Sequence, residues 1–251
     1  MKRWVKVLIV VAASLVVLGG VAEWGLRMLA PGIIQQEVRK SLNLPKSHPV
    51  EVELGGSALF HAIGGGLGDV SVEVPDAPIV EGLTATLSFE ADRVPFAAKT
   101  QAMSEARASI FVTQAELDPV ISLLTNGVAT SGTTSGGELV VGRELGVFGF
   151  SVPITARLAV TAEDGAVRIE PRGLTAVGFD LSAEQLAAAT GRLLDPLLSP
   201  HLVCVSDKIP VGVTIERIDV AMNGVRVDVR LAPTLLSDAA QRQPGTCKEA
   251  S

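Results

Sequence analysis

Tyrosine is absent from this chain of 251 residues, and phenylalanine and tryptophan together make up only 4% of it. With a hydrophobic share of 47%, the apolar character is carried by aliphatic side chains, which suits sheet-rich packing around aliphatic contents. Positive charge is also scarce. The net charge is −6, and three of the 21 basic residues (Lys2, Arg3, Lys6) stand at the extreme N-terminus, so the remainder is more acidic still. A nucleic-acid partner is excluded on that ground, because phosphate neutralisation needs clustered Lys and Arg. The three histidines, His48, His61 and His201, stand in no H-x-x-x-H or H-E-x-x-H frame, so no metal or other cofactor is indicated. No G-x-S-x-G elbow exists. The nearest approach, Gly149 to Pro153, lies in a strand pattern and lacks the second glycine. Carboxylates fall on alternating strand positions or at helix starts, where solvation and capping account for them, so the chain reads as non-catalytic.

The glycine run Gly64-Gly65-Gly66-Leu67-Gly68 does not make a phosphate loop. A phosphate loop needs a strand before it, a helix after it and a following Gly-Lys-Ser/Thr. Here a short helical turn, Ser57 to Ile63, precedes the glycines, and the alternating strand Val70 to Val74 follows.

Long apolar runs are limited to one. Val7 to Ala22 carries no charge for sixteen residues, behind Lys2, Arg3 and Lys6, which places the N-terminus in the cytoplasm and the rest outside. Sixteen falls between a signal-peptide core and the about 20 residues of a full span. Residues 1–23 are therefore expected to be a signal peptide or membrane anchor. The protein is expected at the outer face of the membrane or in a periplasm-like envelope, held by an N-terminal transmembrane helix unless cleaved after Ala22. The two cysteines, Cys204 and Cys247, fit an oxidising compartment and can pair, although two free thiols remain the alternative. Pairing would stabilise the fold by about 4 kcal/mol and tie down a polar tail, residues 237–251.

Between anchor and tail, residues 24–236 are expected to form one domain. Trp24 to Leu44 has helical spacing, kinked or divided at Pro31-Gly32. It is read as covering one end of the core or lying on a bilayer surface. Strands then dominate, over residues 50–54, 70–74, 83–89, 105–112, 138–141, 152–162, 166–171, 174–179, 211–215, 217–222 and 225–231, with turn signals between them such as Asn223-Gly224. These are antiparallel meanders and the class is α+β. Two capping boxes, Thr113 to Glu116 and Ser182 to Gln185, open helices that each contain an Asp-Pro step, Asp118-Pro119 and Asp195-Pro196. Meander followed by capped helix is a weak internal repeat, its halves separated by the Ser/Thr/Gly loop Asn126 to Gly137.

Several segments together resemble the actinobacterial LmeA-like family of envelope phospholipid-binding proteins, which share features with tubular lipid-binding (TULIP) domains. They are the basic-apolar start with a helix ending Leu42-Asn43-Leu44-Pro45; Leu59 to Ile63 with its glycines and Asp69-Val70-Ser71-Val72; Gly82-Leu83-Thr84-Ala85; and Val112 to Leu117. Cys204-Val205 with Ile209 to Val213, and the hairpin Val220 to Val229, complete the set. The glycine run departs from the plainer Gly-x-Leu-Asp step of the family. The resemblance implies a TULIP-like curved sheet or half-barrel wrapped around helices. It also implies phospholipid binding or transfer, phosphatidylinositol among the candidates, in support of lipoglycan or envelope assembly.

A dry aliphatic cavity would supply affinity, and a few polar groups at its mouth would orient the head group. The expected wall is Phe60, Ile63, Leu87, Phe89, Phe111, Leu117, Ile121 and Leu124. The expected head-group contacts are Arg39, Lys40, Lys46 and His48, the one basic cluster outside the N-terminus. The alternative is a structural or scaffolding envelope protein with a packed interior and protein partners that the sequence does not identify.

Overall fold

The computed structural model describes residues 23–80, 82–125, 127, 129–147, 150–163, 165–176, 179–182 and 200–247. Helix α1 spans residues 23–41. It is followed by β1 (Glu51–Leu54), α2 (Ala58–Ile63), β2 (Gly66–Val80), β3 (Leu83–Pro95) and β4 (Arg107–Thr113). A short 3-10 turn, Gln114–Glu116, leads into α3 (Leu117–Leu124). Then come β5 (Ser131–Ser135), β6 (Glu138–Val147), β7 (Phe150–Glu163), β8 (Ala166–Ala176), β9 (Phe179–Ser182), β10 (His201–Val203), β11 (Val213–Ala221) and β12 (Gly224–Leu231).

The strands form two antiparallel sheets. The first runs β1-β2-β3-β4-β12-β11, so it takes the first four strands of the chain and the last two; the second runs β10-β8-β7-β6-β5, with β9 also on β8. Period-two alternation gives the first sheet an apolar and a polar face. One register row reads Val52, Val72, Phe89, Ala108, Val229, Ile215, and the next Val74, Leu87, Ile110, Val227, Ile218. On the opposite face stand Glu73, Ser88, Ser109, Asp228 and Arg217. A bulge between Ile215 and Arg217 keeps the isoleucines of β11 on the apolar side and makes one strand of what the sequence suggested as two.

Helix α1 covers one edge of the apolar face. Its Ile34 and Val38 pack on a buried cluster of Leu44, Val50, Val70, Val72, Val74 and Ala77. Burying a valine of this kind is worth about 1.5–3 kcal/mol. No break divides α1 at Pro31-Gly32, which lie inside one run of helix.

Three expectations are corrected. The curved half-barrel wrapped around helices is not formed: both sheets are open, neither closes into a barrel, and the helices lie on sheet faces. Nor is the expected N-terminal transmembrane helix found among the described residues. Helix α1 carries Glu23, Arg27, Glu37, Arg39 and Lys40, and among the described residues no helix is long and apolar enough to cross a membrane. The expected localisation by a membrane-anchoring helix is corrected with it; Val7 to Ala22, and the cleavage point after Ala22, lie outside the described residues. Thirdly, the capping box at Thr113 does not cap. Thr113 makes no side-chain cap bond, the α-helix starts at Leu117, and the Glu116 carboxylate instead accepts from the Thr84 amide and hydroxyl at 3.4 and 3.1 Å. The second expected helix, with its capping box and Asp195, falls almost wholly on residues 183–199, outside those described.

Three short strands went unread, β5, β9 and β10. β5 lies in the Ser/Thr/Gly stretch, where Asp118 Oδ1 accepts the Gly132 amide at 2.7 Å and Gln114 Oε1 accepts the Thr134 amide at 3.0 Å. β10 shares the outer edge of β8 with β9. Cys204 and Cys247 form a disulfide. Beside it the tail pairs with the chain before β11, Val211 and Gly212 donating to the carbonyls of Gln243 and Gln241 at 2.9 Å each.

Candidate functional site

Apolar alternation continues across all six strands of the first sheet, but its cover does not. Val74 is 3% exposed under α1, whereas Ile110, two strands along the same row, is 39% exposed. Leu87, Phe89, Val227, Val229 and Ile218 are half-buried on the same face. Among the described residues, Leu117 is the one large side chain fully enclosed. The second sheet repeats the pattern, with Val141, Ala156 and Leu174 sharing a face and half-buried.

The expected wall residues are distributed over this framework and do not form one surface. Leu87 and Phe89 stand on the apolar face, against the cluster that α1 covers. The register puts Phe111 on the polar face, where the Arg226 guanidinium stacks 5.4 Å from its ring centre. Leu117 and Ile121 are buried where α3 crosses β5: a side chain at Gly132 would meet Ile121 Cγ1 at 2.6 Å. Leu124 ends α3, and its side chain lies outside the described ones. Phe60 and Ile63 point away from the sheet on α2.

The seating of α2 explains the glycines. Ser57 Oγ accepts the Phe60 amide at 3.2 Å, Gly65 adopts φ +83° to reverse the chain, and His61 lies flat on Gly68, where a Cβ would meet the ring at 2.3 Å. Gly68 shares the face of Val70 and Val72, so α2 closes one end of the apolar face. Glu23 clamps α1 to it, accepting the amides of Ala58 and Leu59 at 2.8 and 2.7 Å and the Ser57 hydroxyl at 2.9 Å. The Leu59 amide and the Arg27 guanidinium at 2.8 Å hold this carboxyl well below its usual range, at about 2.

The basic residues lie elsewhere. Arg39 Nε donates to the His48 carbonyl at 2.8 Å, and His48 Nε2 lies 2.8 Å from the Pro75 carbonyl; Lys40 and Lys46 are exposed. Pro75 is seven residues beyond Gly68, about 23 Å along β2, so this group and α2 sit towards opposite ends of the strand. Across the polar face runs a groove of about 580 Å³ between Ser88, Arg107, Ser109, Glu216, Arg217 and Asp228. Two of its arginines are ion-paired, Arg217 with Asp228 at 3.5 Å and Arg107 with Glu105 at 3.6 Å, and Arg226 donates to the Ser109 hydroxyl at 3.0 Å. Among the described residues no His, Cys, Asp and Glu cluster could hold a metal ion. Sequence reasoning missed Ile110, Val227 and Ile218. Their signal was present in the alternation of Arg107 to Thr113 and of the closing hairpin.

A profile of the family described as LmeA-like phospholipid-binding matches residues 21–230. No curated protein and no solved structure is significantly similar to the chain.

Proposed function

The chain belongs to the LmeA-like phospholipid-binding family, and from that premise we propose that it holds phospholipid acyl chains on the uncovered part of the first sheet's apolar face. Phospholipid binding is the activity by which this family is described. The observation that carries the reading is the row from Val74 to Ile218, apolar throughout, buried under α1 at one end and half-open from Leu87 onward. Each methylene buried against such a face is worth about 0.8 kcal/mol, so about ten buried methylenes supply micromolar affinity without a polar contact.

Leu87 and Phe89 are the expected wall residues that this reading retains, joined by Ile110 and Val227. Arg39, Lys40, Lys46 and His48 are the head-group candidates at the Pro75 end, with phosphatidylinositol among the lipids to test. Carrying such a lipid between membranes or enzymes would support lipoglycan or envelope assembly. The experiment is lipid extraction and mass spectrometry of the purified full chain and of Ile110→Asp. Phospholipid that copurifies with the parent and is lost from the variant, with the fold retained, supports the reading; a lipid-free parent of unchanged fold rejects it in favour of a packed scaffold.

A further inference from the structure

Five large apolar side chains from three separate elements meet solvent at one end of the first sheet: Trp24 and Met28 on α1 are 65% and 60% exposed, Phe60 and Ile63 on α2 are 81% and 79%, and Phe96 just past β3 is 62%. Their neighbourhood is fixed by bonds. Glu23, beside Trp24, accepts from the first amides of α2, and the Phe96 amide donates to the Gly65 carbonyl at 3.0 Å. An exposed apolar patch of this kind marks an interaction surface. Its inner side is fully occupied: Ala58 is buried and His61 rests on Gly68, so Phe60 and Ile63 are left over from packing.

We propose that this tip docks into the interface of a phospholipid bilayer. Three observations choose a bilayer over a protein partner. Trp24, Phe60 and Phe96 stand beside the exposed cations Arg27, Arg93 and Lys99, which is the pairing of aromatic rings with lysine or arginine that settles at head-group level. Glu23, the anion next to Trp24 in the chain, is neutralised by Arg27. The ligand of the family is a phospholipid, which resides in bilayers.

Geometry adds a purpose. Arg93 lies on the apolar face and donates to the Gly64 carbonyl, and α2 sits on the end of that same face. A tip inserted at interfacial depth, about 5–10 Å, brings the α2 end of the sheet against the membrane and holds the protein at the surface from which its lipid comes. Docking concerns a surface distinct from the proposed acyl site. That reading enters only in the purpose given to the docking.

The test uses depth-sensitive fluorescence of the full chain. With Trp4→Phe and Trp24→Phe removing the native indoles, Phe60→Trp, Phe96→Trp and Met222→Trp are compared. Met222 is 88% exposed at the β11–β12 turn. Each is measured with vesicles of phosphatidylcholine and phosphatidylglycerol whose acyl chains are brominated. Docking predicts several-fold stronger quenching for the Phe60→Trp and Phe96→Trp probes than for Met222→Trp. Equal quenching at all three overturns the proposal. So does a blue shift of the Phe60→Trp probe that depends on protein concentration without vesicles, which would mean that a second copy covers the tip. Copurified phospholipid reports on the acyl site independently: its absence sinks that reading and leaves the docking result standing, and the reverse holds equally.

Discussion

The two halves of the first sheet's apolar face are built from the same kind of strand and meet different fates. At the β1–β2 edge, Val70, Val72, Val74 and Ala77 are 1–7% exposed beneath Ile34 and Val38 of α1. Across β4, β12 and β11, Ile110, Val227 and Ile218 continue the same rows half-open to solvent. The braces differ as well. A helix lies on the first edge, whereas the second is approached by a disulfide and by backbone bonds from the tail to Val211 and Gly212. Alternation thus sets which face is apolar, and the cover decides whether that face becomes core or binding surface.

The largest effect that can break this comparison comes from placing one charge on each half of a single row. Val74→Asp, buried and without a partner, should destabilise the fold by about 3–5 kcal/mol. Ile110→Asp should cost about 1 kcal/mol, the span of strand propensity. Urea denaturation of both variants measures the difference, and equal losses would mean that the two halves are equally core.

The second edge is tested next. Cys204→Ser opens a loop of 43 residues and should remove about 4 kcal/mol by the chain-entropy estimate. Thermal melts of the parent with and without reductant should show the same drop. An unchanged midpoint would mean that the tail's backbone bonds brace this edge unaided.

Smallest is the pH response of the α1–α2 clamp. Because Glu23 titrates at about 2 in the fold against 4.5 unperturbed, the stability it lends is present above pH 4.5 and is lost as pH falls through about 2. The protection of the Ala58 and Leu59 amides against exchange, taken relative to the intrinsic rate at each pH, should fall over that window, and Glu23→Gln should abolish the dependence.

Much of the sheet was legible because period-two alternation reports a face directly. Val70 to Val74, Leu83 to Phe89 and the Asn223-Gly224 hairpin all lie in strands where the pattern put them. What failed to read has physical causes. β5 is Ser-Gly-Thr-Thr-Ser, a strand ordered by Asp118 and Gln114 from a neighbouring element and not by its own side chains. Arg172-Gly173 has the composition of a turn and lies within β8, where Arg172 is the extra residue of a bulge. Phe111 was expected in the wall, although Ile110 beside it is the residue whose parity matches Leu87. Phe60 and Ile63 carry the mark of core residues in sequence, and nothing local reveals that α2 turns them outward. The basic group around Arg39 was visible as a cluster, but its bonds to the His48 and Pro75 carbonyls depend on the path of the chain.

The central claim is that acyl chains lie on the half-open part of the first sheet. The most direct measurement is photocrosslinking of the full chain with a phospholipid carrying a diazirine at the end of one acyl chain, followed by mass-spectrometric mapping. The account predicts adducts on Leu87, Phe89, Ile110 and Val227, competed away by unlabelled phospholipid. Adducts concentrated on the opposite face, at Ser88, Ser109 and Asp228, or spread without competition over both faces, would contradict it.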